Sequence, residues 1–267
     1  MIAISDLRFV DLSVPIQEPL EGELEGDFAA GLAARIEYVD HESEAGTVAA
    51  AAVMGCEVSD FPEGKGWAAE MLTLSSHSGT HVDAPWHYYP TTAGAPAKTI
   101  DQLPLEMFFG DGVVLDLTRF RPGERVGADD VRVAVEATGR ELAAGQIVLL
   151  RFDGDAEFGT RRYWYEYPGM SAAATKWLLE RGIRVIGTDA VGFDRDFPSM
   201  AADFADTGDR SLLWEAHRVG IEHEYSQIEK LANLSQLPSR GFKVCCFPVK
   251  IARASAAWAR VVAIVGL

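Results

Sequence analysis

The sequence predicts an α/β domain built on a mixed sheet. Segments typical of strands and of helices alternate through the middle of the chain, and strand-like segments dominate its last third. The chain has 267 residues, of which 48% are hydrophobic, which suffices for one large domain with a sizeable core. We therefore expect residues 1–267 to form one domain, with residues 1–35 as a candidate N-terminal arm.

Six segments support the strand prediction. Residues 71–76 alternate in polarity as a half-buried strand does, and residues 183–189 are typical of a buried strand. The segments, in chain order, are 71–76, 112–117, 146–152, 183–189, 243–251 and 259–267. Because helices interrupt this series, we expect a mixed sheet rather than a purely antiparallel one.

Two helices have recognisable ends. The first covers residues 129–136 and stops at Gly139. The second starts after Ser171, a typical N-cap residue, and continues through Glu180 to a glycine at position 182. Residues 17–31 are acidic and glycine-rich, and we expect an exposed loop there.

Composition argues against several classes of partner. Acidic residues outnumber basic ones 40 to 24, and the net charge of −16 repels nucleic acid. No apolar run is long enough to span a bilayer, so we expect no membrane partner. The three cysteines, Cys56, Cys245 and Cys246, form a poor disulfide framework, and the first residues do not resemble a signal peptide. We expect a cytoplasmic protein.

Residues 77–87 read HSGTHVDAPWH and place four metal-ligand side chains within eleven positions: His77, His81, Asp83 and His87. Imidazole and carboxylate both bind first-row metals, and a carboxylate can bridge two ions. The Ser-Gly-Thr triplet at 78–80 is a poor helix interior, so the segment is expected to be extended. In an extended chain His81 and Asp83 share one face, and Pro85 ends the strand.

A second group of candidate ligands lies near the C-terminus. His217 precedes Glu229 by twelve residues, and Gln227 and Glu229 would share a strand face. A set of six His and carboxylate ligands can hold one metal with open positions or two metals bridged by a carboxylate. The number of ions remains open.

The motif resembles the pattern H-x-G-T-H-x-D-x-P-x-H of the metal-dependent cyclase/hydrolase family, which includes kynurenine formamidases, isatin hydrolases and some aromatic polyketide cyclases. Softer similarity lies in YPGMS at 167–171 and GTDAVGFD at 187–194. The resemblance implies a swivelling β/β/α domain with a mixed central sheet, assembled as a homodimer or homotetramer. It also implies the metal ligands His77, His81, Asp83, His87, His217 and Glu229. Gly192 departs from the Ser that many members carry, which leaves the substrate open.

Further side chains are candidates for substrate contact. Aromatic residues cluster near the motif and at 163–167, so Trp86 and Tyr88 are expected to contact an aromatic substrate. Gln227 and Asp189 are candidates as well, although Asp189 and Asp194 are at least as well explained by orienting a ligand histidine or capping a turn. No nucleotide-binding glycine motif and no serine-hydrolase elbow occurs.

The leading hypothesis is a metal-dependent hydrolase that opens an amide or lactam C–N bond of a small aromatic substrate. The metal, Zn or Mn, would polarise the carbonyl and activate water. His87 would move the proton, and Glu229 would bind metal or orient the water. Two alternatives remain: a metal-dependent aromatic polyketide cyclase, and a non-catalytic metal-binding protein.

Overall fold

A computed structural model describes residues 6–20, 22–24 and 28–267 of the chain. Part of the predicted N-terminal arm, residues 1–5, 21 and 25–27, lies outside the described residues. The strands are β1 (Arg8–Asp11), β2 (Arg35–Val39), β3 (Ala69–Thr73), β4 (His81–Asp83), β5 (Thr91–Thr92), β6 (Ala95–Pro96), β7 (Phe109–Asp116), β8 (Arg125–Val126), β9 (Ile147–Arg151), β10 (Gly169–Met170), β11 (Val185–Thr188), β12 (Ser226–Glu229), β13 (Phe242–Cys245), β14 (Ala256–Trp258) and β15 (Val262–Val265). The α-helices are α1 (Glu44–Met54), α2 (Pro85–Tyr88), α3 (Ala128–Ala137), α4 (Arg161–Tyr165), α5 (Ala172–Leu179), α6 (Phe197–Thr207) and α7 (Glu215–Arg218).

A nine-stranded mixed sheet organises the described chain, in the order β1-β15-β13-β7-β9-β11-β12-β4-β14. The four central strands β7, β9, β11 and β12 are parallel to their neighbours in that group. Antiparallel pairs extend the sheet on both sides. This arrangement, with helices between the central strands, confirms the predicted α/β class with a mixed sheet.

The sheet curls around one apolar core. Each of the nine strands contributes a buried side chain to this core: Val10, Val82, Val114, Leu149, Val185, Ile228, Val244, Ala257 and Ala263. The opposite face of the central strands packs on helices α3 and α5, through side chains such as Val131 and Leu178. Residues 113–115 of β7 and 147–150 of β9 are buried on both faces, and both segments consist of Val, Ile and Leu alone.

Most of the predicted elements are confirmed, with local differences. The side chain of Ser171 accepts a hydrogen bond from the Ala174 N–H at 3.1 Å and caps α5, and Gly182 follows the helix with a positive φ of 81°. The strand predicted at 243–251 is shorter, because β13 ends at Cys245 and Pro248, which cannot donate to a ladder, lies in the irregular segment that follows. The strand expected at 71–76 lies at 69–73 and pairs with β2 outside the main sheet.

The region expected to be an exposed loop is only partly one. Residues 17–20 carry no regular structure, but Phe28–Leu32 is a 3₁₀ helix, and both Leu24 and Ala29 are buried. Within the described part of the chain, no helix combines the length and the apolar character needed to cross a bilayer.

Candidate metal centre

The paired strands β4 and β12 bring three predicted ligands together. His81 lies opposite Glu229 and Asp83 opposite Gln227, while Val82 and Ile228 between them point into the curled core. Alternation therefore sends the ligands to the other face of the sheet. The Nε2 atom of His81 lies 3.3 Å from Asp83 Oδ1 and 3.5 Å from Glu229 Oε2.

His77 joins this group from the turn that precedes β4. Gly79 has a φ of +60°, which favours glycine and bends the chain between the two histidines. His77 Nδ1 then lies 3.0 Å from Asp83 Oδ1 and 3.3 Å from His81 Nε2. The structure thus places the two histidines in contact without a helical turn between them, as the sequence predicts.

His87 and His217 complete the set from two short helices. His87 lies on α2, which starts at Pro85, and its ring centroid is 4.2 Å from that of His77 and 5.4 Å from that of His217. His217 lies on α7, with Nε2 3.8 Å from Glu229 Oε1 and 4.0 Å from Asp83 Oδ2. The other five predicted ligands therefore surround the carboxylate of Asp83.

Hydrogen bonds from outside the cluster orient three of the histidines. Asp194 accepts the Nδ1–H of His217 at 2.5 Å, so Nε2 carries the lone pair that faces Glu229. The Gly79 carbonyl accepts the Nδ1–H of His81 at 2.9 Å, so the lone pair of His81 is on Nε2 and faces Asp83 and Glu229. The hydroxyl of Ser255 lies 3.1 Å from Nε2 of His77, which leaves Nδ1 facing Asp83. Such outer partners fix the tautomer and ring orientation of metal-ligating histidines.

The surroundings of the Asp83 carboxylate are those expected of a metal-binding site. Asp83 is completely buried, and among the described residues neither of its oxygens has a hydrogen bond of acceptable geometry. Its close neighbours are histidine rings, at 3.0 and 3.3 Å, and a buried carboxylate that no well-aligned donor satisfies is costly. A divalent cation between Asp83 and the surrounding nitrogens would offset this cost. Two overlapping triads, His77–Asp83–His87 and His81–Asp83–Glu229, have ligand atoms close enough to share an ion.

Burial and mutual charge set the protonation of the cluster. Burial lowers the pKa of His87 to about 3, so this imidazole is neutral near pH 7. Burial opposes ionisation of His217, but the hydrogen bond and charge of Asp194 outweigh it and raise the pKa. Burial acts against ionisation of Asp83 too, yet the charges of His87, His81 and His77 hold its pKa well below the usual range.

A cavity of about 260 Å³ opens directly over the ligands. His77, His87, His217 and Glu229 line it, while His81 and Asp83 are buried beneath. Six aromatic residues line its walls: Trp164, Tyr165, Tyr167, Phe193, Phe197 and Trp214. The segment 163–167 therefore supplies the aromatic wall that the sequence indicated.

Two predicted substrate contacts on or near α2 lie outside this cavity. The side chain of Trp86 is 45% exposed and is not part of the wall. Tyr88 is buried behind the ligands, stacked on Tyr225 with ring centroids 5.0 Å apart, and its hydroxyl accepts the Gln227 N–H at 2.9 Å. The helix that aims His87 into the cavity necessarily aims its neighbours elsewhere.

Gln227 and Asp189 are also absent from the cavity wall. Gln227 is completely buried below the cluster and donates to Tyr225 Oη at 2.6 Å. Asp189 is completely buried as well, and its carboxylate accepts the backbone N–H groups of Phe152 and Asp153 at 2.8 and 2.9 Å. Asp189 therefore holds the backbone that follows β9 in place, whereas Asp194 orients the predicted ligand His217.

Sequence reasoning missed two further residues at the site. Trp214 stacks on His217, with centroids 4.7 Å apart and planes at 14°, and adopts a left-handed φ of 58°. Lys230 is buried, and its ammonium donates to the His77 carbonyl at 3.0 Å. The sequence signal for both was weak: Lys230 follows Glu229 directly, and Trp214 precedes His217 by three residues.

The fold and the site define a class of α/β proteins that gather histidine and carboxylate groups beside an aromatic cavity. A family model described as "Putative cyclase" matches residues 10–195, and the chain belongs to this cyclase family.

Comparisons with individual proteins agree with the family. The chain is 27% identical over 220 residues to an isatin hydrolase of Roseibium aggregatum, covering 78% of this chain and 80% of that protein. It is 26% identical over 191 residues to a kynurenine formamidase of Erythrobacter litoralis, covering 72% and 74%. Isatin hydrolase A from Ralstonia solanacearum has a similar fold, with a TM-score of 0.74 at 24% identity over 98% of this chain and 93% of that one.

Proposed function

We propose that this protein is a metal-dependent hydrolase that cleaves an amide or lactam C–N bond of a small aromatic substrate. One observation carries the proposal. The buried carboxylate of Asp83, without hydrogen bonds, is surrounded by four histidines at the floor of an aromatic cavity. Relatives named isatin hydrolase and kynurenine formamidase support the choice of bond and of aromatic substrate.

The proposed ligands are His77, His81, Asp83, His87, His217 and Glu229, with Asp83 central to either one ion or a bridged pair. When bound, a divalent metal supplies Lewis-acid polarisation of the carbonyl and lowers the pKa of water. The mixed nitrogen and oxygen donors suit Zn or Mn.

Glu229 and His87 are the proposed catalytic groups, because both belong to the ligand cluster and line the cavity. The Phe193 N–H donates to Glu229 Oε1 at 3.0 Å and fixes the carboxylate at the cavity floor. There Glu229 can bind metal or orient a water through its other oxygen. Burial lowers the pKa of His87 to about 3, so its imidazole is neutral near pH 7 and keeps a lone pair that can either bind metal or serve in proton transfer.

The cavity favours a compact substrate. Its volume of about 260 Å³ lies just below the range of about 300–1,000 Å³ that is typical of ligand pockets. One or two fused rings stack well against the aromatic wall. A polyketide with several rings fits less well, so the cyclase alternative has less support.

The test combines elemental analysis of the purified protein with assays on isatin and N-formylkynurenine. We expect bound divalent metal and turnover of at least one substrate, and loss of both in His81→Ala. His41→Ala is the matched control, because His41 is exposed and lies outside the cluster. Metal and turnover retained in His81→Ala would overturn the proposal. Stoichiometric metal without turnover would favour the non-catalytic metal-binding alternative, and ring closure on polyketide substrates the cyclase.

Two accompanying proposals concern the protein in the cell. We expect a homodimer or homotetramer in the cytoplasm, with no nucleic-acid or membrane partner. The three cysteines are free, which is compatible with a reducing compartment.

A further inference from the structure

Gly192 leaves a space in the cavity wall that a tyrosine fills. A Cβ atom at position 192 would stand 3.2 Å from the hydroxyl oxygen of Tyr167 and 3.6 Å from two of its ring carbons. Both residues line the cavity above the metal centre. The hydroxyl of Tyr167 therefore occupies the place toward which a side chain at 192 would point.

The Tyr167 hydroxyl is a hydrogen-bond donor that has no acceptor among the described residues. Tyr167 is 5% exposed, and within the described residues no side chain or backbone group accepts from its hydroxyl. Burial and the nearby carboxylates of Glu229 and Asp196 raise its pKa well above the usual range, so the group stays protonated. A buried donor at a cavity wall is satisfied by water or by a ligand.

Tyr163 provides the contrast. It is equally buried, at 3% exposure, and its hydroxyl also has no hydrogen-bond partner among the described residues. Tyr163 does not line the cavity, however, and packs instead with Tyr167, Ala190 and Val191. Of these two tyrosines, only Tyr167 can reach a ligand in the cavity.

We propose that Tyr167 is a specificity-determining residue whose hydroxyl donates a hydrogen bond to an oxygen that the aromatic substrate carries beside the cleaved bond, and that Gly192 admits this contact. The inference rests on the proposed function and narrows its substrate class to aromatic amides or lactams with a second oxygen acceptor. A ligand without that oxygen would bury the phenol unsatisfied, and sites built to bond a polar group discriminate against analogues that lack it.

The test uses metal-loaded protein and two unreactive probes, phenylglyoxylate and phenylacetate. They differ in one ketone oxygen. We expect wild-type protein to bind phenylglyoxylate more tightly. Tyr167→Phe should weaken that binding by roughly 3- to 10-fold and change phenylacetate binding by less than about twofold, the range expected for one neutral hydrogen bond. Tyr163→Phe, the matched control, should leave both dissociation constants unchanged.

Gly192→Ala extends the test to a double-mutant cycle. In the tyrosine background the new methyl group presses on the hydroxyl, and we expect weaker phenylglyoxylate binding. In the Tyr167→Phe background the nearest contact relaxes to the ordinary 3.6 Å, so Gly192→Ala should add less than about twofold. Additive effects of the two substitutions would contradict the proposed role of Gly192.

Three results would overturn the proposal: no loss in Tyr167→Phe, equal loss for both probes, or no binding of either probe to wild-type protein. Failure of the proposed function looks different. If wild-type protein distinguishes the probes through Tyr167 but hydrolyses neither isatin nor N-formylkynurenine, the binding role stands and the hydrolase proposal falls.

Discussion

Replacing Asp194 with Asn would remove the acceptor that fixes His217. The Asp194 carboxylate accepts three hydrogen bonds, from the N–H of Ala216 at 2.6 Å, the N–H of His217 at 3.2 Å and its Nδ1–H at 2.5 Å. An amide oxygen can keep the bond to Ala216, but the amide NH₂ then faces two donors. The imidazole can relieve one conflict by moving its proton to Nε2. That proton would occupy the lone pair that faces Asp83 and Glu229.

The expected magnitudes follow from this count. One buried donor left without an acceptor should lower the free energy of unfolding by about 1–3 kcal/mol. A ligand histidine in the wrong tautomer should weaken metal binding by about 10- to 100-fold. Competition with a chromophoric chelator measures the metal dissociation constant, and denaturant unfolding measures stability.

Asp196→Asn is the control for this experiment. Asp196 caps α6 by accepting the Ser199 N–H at 2.7 Å, and asparagine caps a helix as well as aspartate does. We expect the metal affinity of Asp196→Asn to stay within about twofold of wild type, since the Asp196 side chain makes no hydrogen bond to a candidate metal ligand among the described residues. Wild-type metal affinity in Asp194→Asn would refute the claim that Asp194 sets the tautomer of His217.

Three further predictions concern other parts of the site. Asp189→Ala leaves the N–H groups of Phe152 and Asp153 without their acceptor, so it should lower the free energy of unfolding by about 2–4 kcal/mol and leave metal affinity unchanged. A rise in KM without a loss of stability would instead indicate that Asp189 contacts the substrate. Trp86→Ala should leave the kinetic constants in an isatin assay within about twofold of wild type. Trp214→Ala loses the stack on His217 and should reduce metal affinity, measured by titration, by about 10-fold. Equal effects of the two substitutions in both measurements would contradict this. Metal affinity should fall as pH drops from about 8 to 6, because protons compete with the metal at His77 and His217. Neighbouring carboxylates outweigh burial and raise the pKa of both histidines above 6.5. His87, with a pKa of about 3, does not compete in this range. The stability of the metal-free protein should show the opposite pH dependence. The raised pKa values of His77 and His217 contribute to the free energy of unfolding below pH 6.5, and this contribution is lost as pH rises through the folded-state pKa values. Denaturant unfolding in the presence of chelator at several pH values checks this.

Local sequence rules predicted the floor of the site well. Strict alternation put His81 and Asp83 on one face of β4, and the Ser-Gly-Thr triplet made the turn that brings His77 back. The proline at 85 ended the strand as expected, although His87 then lies on a helical turn rather than in extended chain. These features depend on two or three neighbouring residues, which a single sequence displays.

The walls of the site depend on distant contacts and were harder to predict. Trp86 and Tyr88 flank His87 in sequence, but one helical turn points them away from the cavity. Tyr167 and Trp214 line the cavity from irregular segments before β10 and α7, where no periodic pattern indicates which way a side chain faces. Helices α1 and α6 were not predicted either, since α1 is mostly alanine and small residues without a strong apolar stripe.

Metal-dependent thermal unfolding of Asp83→Ala tests the central claim most directly. For wild-type protein at about 100 times the metal dissociation constant, we expect Zn or Mn to raise Tm by about 5–10 °C relative to chelated protein. Added metal should leave the Tm of Asp83→Ala unchanged, because this variant lacks the carboxylate that the other proposed ligands surround. A metal-dependent rise in Asp83→Ala equal to that of wild type would contradict the account of this site.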